Sequence, residues 1–168
     1  ACLAEAGYRV LLIDFDPQAN SSSSVGADTG RPGIYELLTD EADIRTTIQN
    51  TTVTGLQIIP SSINLTGATV ELIDVEGREF YLKRIIAGLR SQYDYIFIDC
   101  PPSLGLLTVN GLAAADAVII PLQCEYFAME GLSMLLTTIK RVQASLNPGL
   151  KIGGILFTMY DTRTRLAH

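Results

Sequence analysis

Two acids, Asp14 and Asp16, stand one residue apart at the end of the apolar run Val10-Leu11-Leu12-Ile13, just before Pro17-Gln18-Ala19-Asn20. Carboxylates so placed can hold a divalent cation, position a water against a phosphate, or cap a turn. The run of Val, Leu and Ile reads as a strand buried on both faces, the kind found in parallel sheets covered by helices. The acids then lie at its carboxyl end, the edge where open α/β sheets bind ligands. The alternative is local turn chemistry, since Asp and Asn cap helices and Pro17 ends strands. A third acid, Asp99, closes a similar run, Tyr93-Asp94-Tyr95-Ile96-Phe97-Ile98. A hydrophobic strand ending on Asp is the pattern of a carboxylate that holds Mg²⁺ through water.

The elements that must position these acids alternate between the two periods. Ala1 to Gly7 reads as the last turns of a helix closed by Gly7. After the first strand, Ser21 to Ser24 and the glycines up to Gly33 have the composition of a flexible connector. Ile34 to Leu38 and Ile44 to Ile48 read as short helices, the second with Asp43 as N-cap. Leu56 to Pro60 is a strand, and Ser61 to Ile73 reads as a helix. Arg78 to Arg90 carries Phe80, Leu82, Ile85, Ile86 and Leu89 opposite Arg78, Lys83, Arg84 and Arg90, one apolar stripe and one solvated face. Tyr93 to Asp99 is a buried strand, followed by a helix from about Leu104 to Ala115. A strand over Asp116 to Pro121 is ended by its proline. Glu130 to Ser145 is an amphipathic helix stopped by Asn147-Pro148-Gly149, and Ile152 to Thr158 is the last strand. This alternation predicts an α/β fold: a mostly parallel sheet with helices on both faces. The strand ends then share one edge, which brings together Asp14, Asp16, Asp99, Pro121 and Thr158.

Composition narrows the chemistry. The 168 residues, 48% hydrophobic, predict one compact unit. A formal net charge of −6 argues against a nucleic-acid surface within this stretch. Cys2, Cys100 and Cys124 are odd in number and widely spaced, and read as buried thiols in a reducing cytoplasm. The only histidine is His168, which sets aside Ser-His-Asp and Cys-His mechanisms and His-based zinc sites. The uncharged run Cys100 to Ala115 is broken by Pro101, Pro102, Asn110 and Gly111 and is too short to span a bilayer. No membrane attachment is expected.

It is the combination of stretches that becomes specific. In order and spacing, "RVLLIDFDPQAN", "IPSSINLTGATVEL", "YDYIFIDCPPSLGLLTVNGL", "VIIPLQCEYFAMEGL" and "GILFTMYDTRT" resemble the ParA/Soj-type partition ATPases. These are the branch of deviant Walker P-loop proteins that also includes MinD, and the resemblance covers essentially the whole chain. It implies a P-loop NTPase-like fold with ATP and Mg²⁺ as cofactors. Asp16 matches the family's catalytic acid, which positions and polarises the water that attacks the γ-phosphate. Asp14 matches the first acid of that pair and belongs to the Mg²⁺ and lysine network. Asp99 matches the Walker B acid, holding Mg²⁺ through water, with Cys100, Pro101 and Pro102 as the switch-like turn after it. Thr158 and Met159 lie where relatives place groups near the adenine.

One departure stands out: no G-K-[ST] triplet occurs in the sequence. Relatives carry the lysine-bearing phosphate loop immediately upstream of where this chain begins. The expectation is therefore a partial, truncated nucleotide-hydrolase domain, residues 1–168, without the first strand, the P-loop and the C-terminal helices. The ladder beside Val10 to Asp14 would then be open, and the stretch alone would bind no ATP and tend to aggregate.

The resemblance further implies a bacterial, cytoplasmic, nucleoid-associated protein. It would form a homodimer on ATP, bind DNA without sequence preference through regions mostly absent here, and be stimulated by a ParB-like partner. Arg163 and Arg165 sit near that end. A MinD-like positioning ATPase on the membrane and a catalytically inactive scaffold are the alternatives. Tyr126, Phe127 and Met129 fit either core positions or a partner contact.

Overall fold

The computed structural model describes residues 1–123 and 128–159, the side chains of 128 and 129 excepted. A short helix, α1 (Cys2–Glu5), leads through Gly7 into β1 (Val10–Asp14). Three short helices follow: α2 (Asn20–Ser24), α3 (Ile34–Leu38) and α4 (Ile44–Thr47). Next come β2 (Gln49–Asn50), β3 (Leu56–Ile59), α5 (Leu65–Glu71) and a 3₁₀ turn at Arg78–Phe80 that runs into α6 (Tyr81–Ala87). The remaining elements are β4 (Tyr95–Asp99), α7 (Leu106–Ala114), β5 (Ala117–Gln123), α8 (Ala128–Ser145) and β6 (Lys151–Thr158). The alternation is the predicted one, and the α/β class with a mostly parallel sheet holds.

The chain divides into two compact units, Ala1–Gly111 and Leu112–His168. In the first, the sheet runs β2-β3-β1-β4. β1 pairs in parallel with β3 on one side and β4 on the other, in registers that set Val10 beside both Leu56 and Tyr95. The expected open ladder beside Val10–Asp14 is therefore closed on both sides. The outermost position falls to β4, whose Tyr95 and Phe97 are each 41% exposed, so this strand is not the buried one its apolar sequence predicted. β2 is an antiparallel two-residue edge strand that the pattern of Gln49-Asn50 did not announce. Polar residues at a sheet's edge carry no period-2 signal to read.

Local chemistry fixes the connections. Asp43 caps α4 as predicted, its carboxylate accepting from the Arg45 backbone N–H at 2.8 Å. Glu36 reaches back to accept from the Gly33 N–H at 2.7 Å and opens α3. Gly33 has no alternative: a Cβ there would lie 2.3 Å from the Pro60 carbonyl oxygen, at the end of β3. Behind β1, Leu11, Ile13, Phe15, Ile34, Ile58, Ile59, Leu65 and Leu82 are fully buried and form the core of this unit. The amphipathic reading of α6 holds, with Leu82, Ile86 and Leu89 buried and Lys83, Arg84 and Arg90 exposed.

Asn110, read from the sequence only as a break in an uncharged run, is a buried junction. Its Oδ1 accepts from the Leu82 N–H at 3.2 Å, and its Nδ2 donates to the carbonyls of Arg78 and Leu106 at 2.9 and 3.1 Å. It therefore satisfies an orphan donor in the first turn of α6, a group that otherwise lacks a partner.

The second unit is a parallel pair, β5 beside β6, packed on α8. Pro121 does not end β5. It lies opposite Leu156, and the strand continues to Gln123, which is tolerable where, among the described residues, a strand is paired on one side only. Asn147 stops the chain after α8 by donating through Nδ2 to the carbonyls of Leu112 and Ala115 at 3.0 and 2.8 Å. Tyr126, Phe127 and Met129, Arg163 and Arg165, and Cys124 lie outside the described residues or side chains. Cys2 is exposed, contrary to the buried thiol expected. No described helix is long and apolar enough to cross a membrane.

Candidate active site

The carboxyl edge of the first unit gathers the acids. Parallel pairing sets Asp14 directly opposite Asp99, so two strands deliver carboxylates in register. Past the strand end the Phe15 N–H still donates to the Asp99 carbonyl at 2.8 Å, and buried Phe15 anchors the start of the turn. Asp16 then turns outward and is half-buried.

The turn is built by its own polar groups. Asp16 Oδ1 accepts from the Gln18 N–H at 2.9 Å, an Asx-type turn, and the Asp16 carbonyl accepts from Ala19 N–H at 2.9 Å. Ala19 takes φ +52° and ψ +34°, a left-handed conformation that costs a residue with a Cβ roughly 1 kcal/mol or more. The chain accepts it because it swings Asn20 into α2 directly behind the acids.

Ser21 and Ser22, expected in a flexible connector, are instead held on α2 by those acids. The Ser21 hydroxyl donates to Asp99 Oδ2 at 2.5 Å. Ser22 donates to Asp14 Oδ2 twice, from its backbone N–H and from Oγ, each at 2.7 Å. The remaining Asp14 oxygen accepts from the Asp16 N–H at 3.3 Å. Asp14, expected beside Asp99 in the Mg²⁺ network, is thus completely buried, with both oxygens engaged by the protein. Asp99 is exposed. The run of four serines has a loop-like composition. The signal that could have placed it was its distance from the strand, since Ser22 lies eight residues after Asp14, one tight turn and a helical start away.

The turn after Asp99 is tightly backed. The Thr108 hydroxyl donates to the Pro101 carbonyl at 3.3 Å and is also bonded to the Ser103 carbonyl. A Cβ on Gly111 would lie 2.4 Å from Cys100 Sγ, so only glycine lets α7 pass this close. Burial first, then the charges of Asp99 and Asp16, pushes the Cys100 thiol up to about 12, which keeps it protonated and unreactive near neutrality. Thr158 and Met159 belong to the second unit, at the carboxyl end of β6. Thr158 lies opposite Gln123, whose Nε2 donates to Met159 Sδ at 3.5 Å, and Met159 takes φ +52°.

At the opposite edge, Arg9 and Asp94 tie the starts of β1 and β4 together. Arg9 donates to the Asp94 carboxylate from its backbone N–H at 2.8 Å, from Nε at 3.2 Å and from its terminal nitrogen at 2.9 Å. These bonds hold the Asp94 carboxyl down at about 2 from its ordinary 3.8. A depressed carboxylate stabilises the fold fully above its unfolded value and loses that contribution as pH falls through the folded one. The difference in urea midpoint between the wild type and Asp94→Asn is therefore expected to be constant above about pH 5, to shrink as pH falls, and to be lost only below about pH 2. A difference that persists unchanged to pH 2 would remove this pair as its source.

Comparison with known proteins agrees with this arrangement. The family model described as "AAA domain" matches residues 1–152. A chromosome-partitioning ATPase Soj from Treponema pallidum is 60% identical over 99% of this chain and 66% of its own length. A chromosome partitioning protein ParA from Myxococcus xanthus is 52% identical over 100% of this chain and 60% of its own. Among solved structures, a cobyrinic acid a,c-diamide synthase from Mycobacterium smegmatis with a bound ATP analogue and magnesium superposes with a TM-score of 0.92. It is 44% identical, over 98% of this chain and 68% of that one. The chain thus spans about two thirds of these proteins' length. With two carboxylates in register on neighbouring parallel strands and a third on the turn beyond, and with these relatives over nearly all its residues, the chain belongs to the Soj/ParA family of partition ATPases, within the AAA-domain group.

Proposed function

We propose that the protein is a bacterial partition ATPase and that residues 1–168 supply the acidic half of its site. The observation that carries this reading is the Asp14–Asp99 register with Asp16 on the turn past it, in a chain 60% identical to a Soj ATPase. In this reading the bound nucleotide supplies a γ-phosphate for attack, and Mg²⁺ neutralises charge developing on its oxygens. Asp99 fits the ion: it is an exposed hard oxygen donor at the carboxyl edge. Among the described residues no group of three or more His, Cys, Asp or Glu is placed to hold a metal by itself. That suits Mg²⁺, which keeps several waters and is bound by one or two carboxylates plus phosphate oxygens.

The work of the chain's own residues is positioning. Asp16 accepts a hydrogen bond from the attacking water and orients it. Pro101 and its neighbours shape the turn beside Asp99, and Thr158 and Met159 contribute to the adenine pocket. ATP binding forms a homodimer, the dimer binds DNA without sequence preference, and a ParB-like partner stimulates hydrolysis, all in the cytoplasm on the nucleoid.

The test uses the full-length protein. Saturable Mg·ATP binding, ATP-dependent dimerisation and slow phosphate release are expected, with K-G-G-x-G-K-[ST] encoded in frame upstream of Ala1. A full-length protein that neither binds nor hydrolyses Mg·ATP would sink the reading, as would an intact upstream region lacking that motif.

A further inference from the structure

Ser22 sits at the centre of a buried relay. It is fully buried, as is Asp14. Its N–H and Oγ both donate to Asp14 Oδ2 at 2.7 Å, and its Oγ accepts from the Ser61 N–H at 3.0 Å. A hydroxyl has one proton to give and lone pairs to accept with. Both capacities are used here, toward the ends of two neighbouring strands. On the far side of the carboxylate, Asp14 Oδ1 takes the N–H of Asp16 at 3.3 Å. One side chain thus connects the segment after β3, the end of β1, α2 and the backbone of Asp16.

We propose that Ser22 is a positioning residue for hydrolysis, acting through Asp14 to fix where Asp16 stands. The proposal rests on the assignment of Asp16 to the attacking water. Hydrogen bonds to a carboxylate are roughly twice as strong as neutral ones. Without Ser22 Oγ, Asp14 Oδ2 keeps a single donor and the Ser61 N–H loses its acceptor in a buried site. The carboxylate is then free to rotate, and the Asp16 N–H moves with it. A misplacement of about 1 Å at a reacting group costs on the order of 10²-fold in rate. Binding of the nucleotide, made by other groups, changes little. This gives Asp14 a supporting part, through hydrogen bonds, and not a place at the metal.

The experiment compares Ser22→Ala, Ser22→Thr, Ser22→Cys and Ser23→Ala in the full-length protein, measuring kcat and KM for Mg·ATP and the urea midpoint. Ser22→Ala is expected to lower kcat about 10- to 100-fold, with KM changed by less than about 3-fold. Ser22→Thr, which keeps the hydroxyl, returns most of kcat, and Ser22→Cys, a weaker donor, falls between. Ser23→Ala removes a hydroxyl bonded to the Ala19 carbonyl within the same helix and leaves kcat unchanged. Should the alanine variant fail to fold, the Ser, Thr and Cys series decides alone. Equal kcat across that series overturns the proposal, and so does a loss in Ser23→Ala equal to that in Ser22→Ala. A wild type that does not hydrolyse Mg·ATP overturns both this proposal and the ATPase reading beneath it. A wild type that does, with Ser22→Ala unaffected, overturns this one only.

Discussion

Asp16→Ala in the full-length protein is expected to abolish most ATP turnover, by about 10²- to 10⁴-fold, the range removed with a general base or water-positioning group. ATP-dependent dimerisation is expected to survive. The separation follows from what the side chain does in the fold. Its carboxylate is half-buried and, among the described residues, bonded locally to the Gln18 N–H, while the turn itself is held by backbone bonds, Ala19 N–H to the Asp16 carbonyl and Phe15 N–H to the Asp99 carbonyl. The core beneath, Phe15 and Ile13, is untouched. The loss therefore lands on the chemical step and not on folding or nucleotide binding. Phosphate release under saturating Mg·ATP measures the first part, and light scattering with and without ATP the second. Turnover equal to wild type would remove Asp16 from its role.

Asn110→Ala is expected to destabilise the protein by about 2–4 kcal/mol, read as a shift in the urea midpoint at constant m-value. Three hydrogen bonds end on this one amide, at 2.9, 3.1 and 3.2 Å, and the residue is 2% exposed. A typical bond contributes only about 1 kcal/mol net, but a buried partner left unpaired costs about 1–3 kcal/mol. The Leu82 N–H, in a buried bond, would be left so, and the part-buried Arg78 carbonyl would lose this donor, because alanine offers neither donor nor acceptor. A shift below about 0.5 kcal/mol, the size of an ordinary surface substitution, would mean that these groups find other partners.

Both predictions turn on features that differ in how readable they were. The strand over Val10–Asp14, the Asp43 cap and the stripe of α6 were legible because each rests on short-range rules: an unbroken apolar run, a capping side chain, a helical period. The pairing of Asp14 with Asp99 could be anticipated only from the parallel class as a whole. Three things escaped. Ser21 and Ser22 looked like connector because their partners are carboxylates on two strands, one of them 78 residues away. Asn110 looked only like a polar break in an uncharged run because its bonds cross to α6. Pro121 looked like a strand end because a single sequence does not reveal that β5, among the described residues, is paired on one side only. Thr158 and Met159 were located correctly at the end of the last strand, a position the apolar run Ile152 to Thr158 fixes locally.

The double pairing of β1 also sets a timetable. Its partners lie far downstream: Val10 stands beside Leu56 and Tyr95, and the bond from Arg9 to Asp94 closes 85 residues. At synthesis rates of about 5–20 residues per second, β1 leaves the ribosome roughly 4–17 s before β4 follows it. During that interval Val10-Leu11-Leu12-Ile13 waits for β4, while β3 arrives earlier to pair on one side. The segment that carries Asp14 and Asp16 is thus made well before the strands that pair with it. A nascent chain stalled before Asp99 would be a natural client for a chaperone that grips extended hydrophobic segments.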